Sequence, residues 1–204
     1  MEEARRILNK KALYREEMER ALPKELSDAL WTRSEERLAG ILLKYGSLPK
    51  GVRMHTDSRI FPSAAVYLTL KEELGEEKAY RILEDAVIKG CEEIAQKLAR
   101  MMRIPGMPAL FVKIWDPLVR KVFGTGSGFT NVFYPKKKGE YRMDVTECPY
   151  RKYCAELGCP EITKMFCEND DRMYGNLPGI SFERTGTLGK GADRCDFLIR
   201  LKKD

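Results

Sequence analysis

Phe129-Thr130-Asn131-Val132-Phe133-Tyr134 and Tyr141-Arg142-Met143-Asp144-Val145-Thr146 flank Pro135-Lys136-Lys137-Lys138-Gly139, and this stretch decides the fold. Both arms are rich in aromatic and β-branched residues, which suit a pleated, half-buried surface, and turn residues join them. The pair reads as a β-hairpin. Further on, Gly179 to Thr185 and Arg194 to Leu201 read as two more strands joined by a Gly-rich connection. Two short helices fall between hairpin and last strands, from Pro149 to Leu157 (stopped by Gly158) and from Pro160 to about Tyr174. Strands and helices do not alternate as βαβ units, so the sheet is expected to be antiparallel with helices on one face.

Upstream of Gly124 the apolar period is helical. Tyr80, Leu83, Val87, Gly90, Ile94, Leu98 and Met101 recur every three or four residues, predicting one helix over about Glu76 to Arg103 with a single buried face. Pro62 opens a helix carrying Val66, Leu70 and Leu74, and Gly75 ends it. Pro105 and Pro108 bracket a break, after which Phe111, Ile114, Leu118 and Val122 form a stripe. Leu30, Leu38, Ile41 and Tyr45 mark an earlier helix ending at Gly46, and a more charged helix precedes Pro23. The expectation is an α+β fold: a helical part (1–123) packed on one face of an antiparallel four-stranded sheet that carries the cysteine-bearing helices (124–204), in a single domain.

Composition narrows function. The first residues, Met1-Glu2-Glu3-Ala4-Arg5-Arg6, carry no apolar leader, and no apolar run is long enough to span a bilayer. A soluble, cytoplasmic protein with reduced thiols is expected. At 204 residues the chain can bury a sizeable core without disulfides. Net charge is +6, yet 31 acids are mixed among 37 bases, and the one basic run lies at the hairpin tip without interleaved aromatics. Neither a nucleic-acid nor a membrane partner is expected.

The chemistry-bearing residues concentrate late in the chain. Five of six cysteines fall between Cys148 and Cys195. Cys148 and Cys159 each precede a proline, which places them at helix starts, where the dipole favours thiolate. Cys91 borders the stripe of the long helix and reads as a core thiol. Cys167 and Asp170 are three apart, hence neighbours on one helical surface. Cys159 and Cys167 are separated by about 12 Å along the axis, too far to act on one atom. By strand alternation Cys195, Phe197, Ile199 and Leu201 share a face with Ile180, Phe182 and Arg184 and with Tyr141, Met143 and Val145. Arg184 thus falls on the helix-covered side and needs an anion, either a carboxylate from a covering helix or that of a substrate.

Other motifs fail on context. Gly124-Thr125-Gly126-Ser127-Gly128 leaves a helix and enters a strand, the reverse of a dinucleotide loop, and Gly189-Lys190-Gly191 lacks the remaining phosphate-loop residues. His55, the sole histidine, reads as part of an exposed polar loop, Met54-His55-Thr56-Asp57. The cysteine gaps contain no C-x2-C knuckle and fit neither zinc nor an iron–sulfur cluster well.

Cys148-Pro149, Gly158 with Pro160-Glu161, Phe166-Cys167-Glu168-Asn169-Asp170, Pro178-Gly179-Ile180, Arg184 with Thr187-Leu188, and Gly191 with Cys195-Asp196-Phe197 resemble, in order and spacing, the L-2-amino-thiazoline-4-carboxylic acid hydrolase-like family. The resemblance implies a hydrolase that opens a small heterocyclic amino acid ring by attack at the ring C=N carbon, giving a carbamoyl-cysteine. On the matching residues it implies Cys167 or Cys195 as nucleophile, Asp170 as general acid or base, and Arg184 as carboxylate clamp, with Thr187 and Asp196 lining or ordering the site. The partner implied is a small carboxylate-bearing substrate, and a homo-oligomer is compatible with it. No cofactor is expected. The alternatives are a binding protein without turnover and a cysteine-ligated metal or redox sensor.

Overall fold

The computed structural model describes residues 1–202. Seven α-helices come first: α1 (Glu2–Leu8), α2 (Ala12–Ala21), α3 (Lys24–Lys44), α4 (Lys50–His55), α5 (Phe61–Leu74), α6 (Glu76–Met102) and α7 (Met107–Val122). A π-helical turn, Thr56–Ile60, joins α4 to α5. Strands β1 (Thr130–Phe133) and β2 (Glu140–Glu147) form the hairpin, α8 (Pro149–Glu156) and α9 (Thr163–Tyr174) follow, and β3 (Ile180–Glu183) and β4 (Cys195–Leu201) end the described chain. The sheet is antiparallel throughout, in the order β1-β2-β4-β3. The fold is α+β, helices N-terminal and strands C-terminal.

Register places the expected side chains together. Tyr141, Met143 and Val145 pair with Ile199, Phe197 and Cys195, and Phe182 pairs with Ile199. Equal parity in all three strands sends these residues to one face, where α7 and α9 lie: Trp115 of α7 meets Tyr174 of α9 edge-on at 5.0 Å, and Tyr174 meets Phe182 at 5.6 Å. The buried core of the helical part is continuous with that of the sheet. Its bulkiest members, Phe61 and Tyr67, are fully buried, each removal from water contributing roughly 1.5–3 kcal/mol. Tyr67 and Lys71 also bind Glu161 at 2.5 and 2.6 Å, tying α5 to the short 3-10 turn that leads into α9.

Three expectations are corrected. Ile114 and Leu118 are about half exposed; α7 buries Phe111, Val112, Asp116 and Val119 instead. The aromatic contact of Trp115 rotates that face inward, and Asp116 is tolerated there because Arg120 and Lys136 neutralise it at 2.8 and 2.9 Å. In α6, Ile94 and Met101 are exposed while Ala79, Leu83, Val87 and Cys91 are buried, because α2, α5 and α9 provide the helix's main contacts. His55 is buried, not in a loop: Nε2 donates to the Val122 carbonyl at 2.8 Å, and Nδ1 accepts from the Tyr150 hydroxyl at 3.2 Å. Burial lowers its pKa and keeps the ring neutral. The polar residues around it misled the sequence reading, since their hydrogen bonds are made inside the helical turns.

Gly51 marks a close approach between α4 and the glycine-rich turn before β1. A Cβ there would lie 2.2 Å from the Gly126 carbonyl oxygen, whereas at Gly40 in α3 it would meet nothing within 4 Å. Chemical denaturation should show Gly51→Ala destabilised by about 1–3 kcal/mol and Gly40→Ala stabilised by about 0.4–1 kcal/mol. Equal effects would contradict the packing.

Candidate functional site

Arg184 follows β3 directly and its side chain is only 1 % exposed. Its guanidinium reaches across to α9, where Nη1 binds Asp170 at 2.9 Å and Nη2 binds the Cys167 carbonyl and Asp171, both at 2.6 Å. Phe197 and Phe182 lie beneath it, 5.2 and 5.7 Å from the ring centroids. Of the two partners considered from sequence, the structure supplies the covering helix. Both Nη atoms are taken, and at 1 % exposure the rest of the fork is out of reach of a second carboxylate.

That clamp sets the position of Cys167 against the segment Thr187–Gly191. The turn Leu188–Lys190 runs along α9, held there by the Lys190–Glu168 pair at 3.1 Å. A Cβ at Gly189 would sit 2.7 Å from the Cys167 sulfur, so only glycine lets the backbone come this close. Cys195, buried at the start of β4, accepts the Leu188 N–H at 3.2 Å and turns its thiol to Cys167. Donation by the Cys195 thiol, with the Gly189 N–H and the Thr187 hydroxyl, outweighs burial and the nearby Asp170 and brings the Cys167 pKa down to about 7. Cys195 is driven the opposite way by the same bond and by burial. The direction follows from the surroundings: Cys195, the Gly189 N–H and Thr187 all face the Cys167 sulfur, while Cys195 takes the Leu188 amide. Thr187 Oγ1 is buried with no well-formed partner, free to turn to a thiolate.

The other sulfurs differ. Cys148 caps α8 and draws on the N–H groups of Arg151 and Tyr150, yet burial dominates and pushes it up to about 12. Helix-start placement alone does not make this thiol acidic. Cys154 and Cys159 are fully buried, and their sulfurs interact with each other, which with burial raises Cys154. Cys91 is raised by burial and donates to the Asn169 carbonyl at 3.4 Å.

Asp170 shares the surface of α9 with Cys167. Burial raises its carboxyl to about 6 against the opposing pull of Arg184, with Asp171 adding to the rise. About a third of its side-chain surface (32 %) remains accessible, so it can exchange protons with a small molecule. Around it stand Arg59 of the π turn, Tyr150 of α8 and Tyr174 of α9. Asp196 points to the other face, taking hydrogen bonds from Thr185 N (2.9 Å), Thr185 Oγ1 (2.6 Å) and Gly186 N (2.8 Å). It orders the loop into which Thr187 is set. Sequence reading brought Cys167, Asp170, Arg184, Thr187 and Cys195 to one place but missed Arg59, Tyr150, Tyr174 and Gly189. The Gly-rich character of 186–191 was the one available signal.

Two shallow clefts, of about 390 and 210 Å³, lie elsewhere, between Tyr80, Glu161 and Lys164 and around Arg15 and Trp31. Neither holds a thiol, and the chemistry is therefore located by its reactive groups. Among the described residues no group of three or more metal-ligating side chains converges, and no helix is long and apolar enough to cross a membrane.

An acidic thiol beside a carboxyl that titrates near it, on a helix laid over an antiparallel sheet, defines a candidate site for nucleophilic hydrolysis. A family model described as L-2-amino-thiazoline-4-carboxylic acid hydrolase matches residues 53–199, and the chain belongs to that family. No curated protein and no solved structure matches the chain.

Cys195→Ala removes a donor to the Cys167 thiolate. The midpoint for alkylation of Cys167 by iodoacetamide, followed by peptide mass spectrometry, should rise by about one to two pH units from its value near 7. An unmoved midpoint would refute the sulfur–sulfur hydrogen bond.

Proposed function

We propose that this chain is a cytoplasmic thiol hydrolase of small amino acid metabolism that opens a 2-amino-thiazoline-4-carboxylate-like ring, with Cys167 as nucleophile and Asp170 as proton carrier. The observation that carries this reading is the Cys167 sulfur itself, set against Gly189 and Cys195 so that its thiolate is favoured near neutral pH.

The ring carbon between nitrogen and sulfur is electrophilic, more so when the amidine is protonated. The Cys167 thiolate adds to it, forming an S–C bond as the C=N electron pair moves onto the ring nitrogen. That nitrogen, already protonated in the amidinium, takes a second proton from Asp170, the ring C–N bond breaks, and the amine leaves. Water then adds to the carbon still bound to Cys167, giving one proton back to the Asp170 carboxylate. Collapse forms the carbonyl, passes the remaining hydroxyl proton to the freed amine and expels the thiolate. One water is consumed, the product is a carbamoyl-cysteine, and no oxidant or reductant is required. Cys195, Gly189 N–H and Thr187 hold the sulfur's charge before attack and after release, and Arg184 keeps Asp170 and α9 in place. No cofactor enters the sequence of steps.

The productive form carries ionised Cys167 (about 7) and protonated Asp170 (about 6). The first fraction grows as pH rises through its pKa and the second shrinks, so kcat/KM on 2-amino-thiazoline-4-carboxylate should be bell-shaped with a maximum between these values. Cys167→Ser should reduce turnover to background, and Asp170→Asn should lower it by roughly two to four powers of ten and remove the falling alkaline limb, leaving the rise that follows Cys167 ionisation. Full activity of Cys167→Ser would reject the covalent route, and ligand binding without product formation would identify a binding protein.

A further inference from the structure

Both Nη atoms of Arg184 bind α9 and only 1 % of the side chain is exposed, so a carboxylate-bearing substrate needs a different cation. Arg59 is placed to be that cation. It stands on the π turn between α4 and α5, and the extra residue of such a turn re-aims a side chain, a device common at functional sites. The turn is braced from both sides: Thr56 donates to the Val52 carbonyl at 3.3 Å, and Ser63 donates to the Arg59 carbonyl at 2.7 Å.

The neighbouring acids are already spoken for. Asp57 is bound by Arg53 at 2.8 Å and Asp170 by Arg184 at 2.9 Å. Among the described residues Arg59 has no carboxylate at ion-pair distance, yet it is neither remote nor fully solvated. Its charge is supported chiefly by the Tyr150 phenol, against burial, and then by Tyr174 and Asp170. The backbone carbonyl of Val122 fixes the His55 tautomer, so the Tyr150 proton goes to Nδ1. The phenol oxygen is left as an acceptor facing Arg59. Phe166 at 4.9 Å from Tyr150, and Trp115 at 5.0 Å from Tyr174, hold both rings. Arg59 is exposed on its open side, and a guanidinium with one neutral partner and accessible surface is an open anion site.

We propose that Arg59 binds the carboxylate of a small substrate whose electrophilic carbon lies at Cys167, with Tyr150 and Tyr174 as the walls of the site. Resting on the hydrolase reading above, this assignment replaces Arg184 as clamp and defines the ligand class as a compact monoanion. A dianion such as phosphate is disfavoured because Asp170, carrying negative charge at neutral pH, borders the same space.

The test compares alkylation of Cys167 by iodoacetate and by iodoacetamide, which form the same S–C bond with loss of iodide but differ in charge. Their rate ratio cancels the thiolate fraction and reports the anion site alone. Arg59→Met should lower the iodoacetate-to-iodoacetamide ratio roughly ten- to hundredfold, the scale of losing a charge-assisted hydrogen bond, while iodoacetamide rates stay within about twofold. Arg59→Lys, which keeps the charge without the fork, should fall between and serves if the methionine variant does not fold. A ratio unchanged in both variants overturns the anion site and leaves the Cys167 chemistry standing. A reduced ratio in a protein that hydrolyses no cyclic amidine supports the site and sinks the hydrolase reading. Failure of either reagent to label Cys167 in the folded protein overturns both.

Discussion

The buried Arg184 guanidinium holds the site together. Removing such a charge from water is costly, and its three contacts to α9 offset that cost only in one relative placement of helix and sheet. One of those contacts is the Cys167 carbonyl, so the same constraint that docks α9 on the sheet brings the Cys167 sulfur to the Thr187–Gly191 segment. Loss of one partner of a buried pair costs about 3–5 kcal/mol, enough to release the helix and with it the thiol.

From that placement the electrostatics follow. Cys167 is shifted down while Cys91, Cys148, Cys154 and Cys195 are shifted up, and the balance of donors against burial at each sulfur decides the direction rather than position on a helix. Cys148 has the capping position and two backbone N–H groups, and burial still raises it. Cys167, inside α9, lacks the helix-end location but receives donors from a different layer of the fold, and it becomes the acidic thiol. Asp170 is raised toward it by burial, which brings the titrations of nucleophile and proton carrier close together. The helical layer contributes the remaining wall through Arg59, Tyr150 and the neutral His55.

Much of the fold was legible because hydrophobic period is a local property. The hairpin, the long α6 and the face shared by Cys195, Phe182 and Tyr141 all follow from counting residues. The errors arose where tertiary contacts override period: Trp115 turns α7 so that Ile114 and Leu118 face out, and Val122 and Tyr150 draw His55 inside. The candidate site was legible by half. Parity and i, i+3 spacing located Cys167, Asp170, Arg184 and Cys195, but Arg59 sits on a π turn that no sequence pattern announces. Gly189 likewise looked like a flexible turn until the sulfur beside it gave the absence of a Cβ a reason.

The central claim is that Cys167 is held as a thiolate near neutral pH by donors from the sheet side. It is tested most directly by ultraviolet titration of thiolate absorbance, taking the difference between the protein and its Cys167→Ser variant. The account requires one ionisation with a midpoint near 7. A midpoint at or above 9.0, the ordinary thiol value, would contradict it.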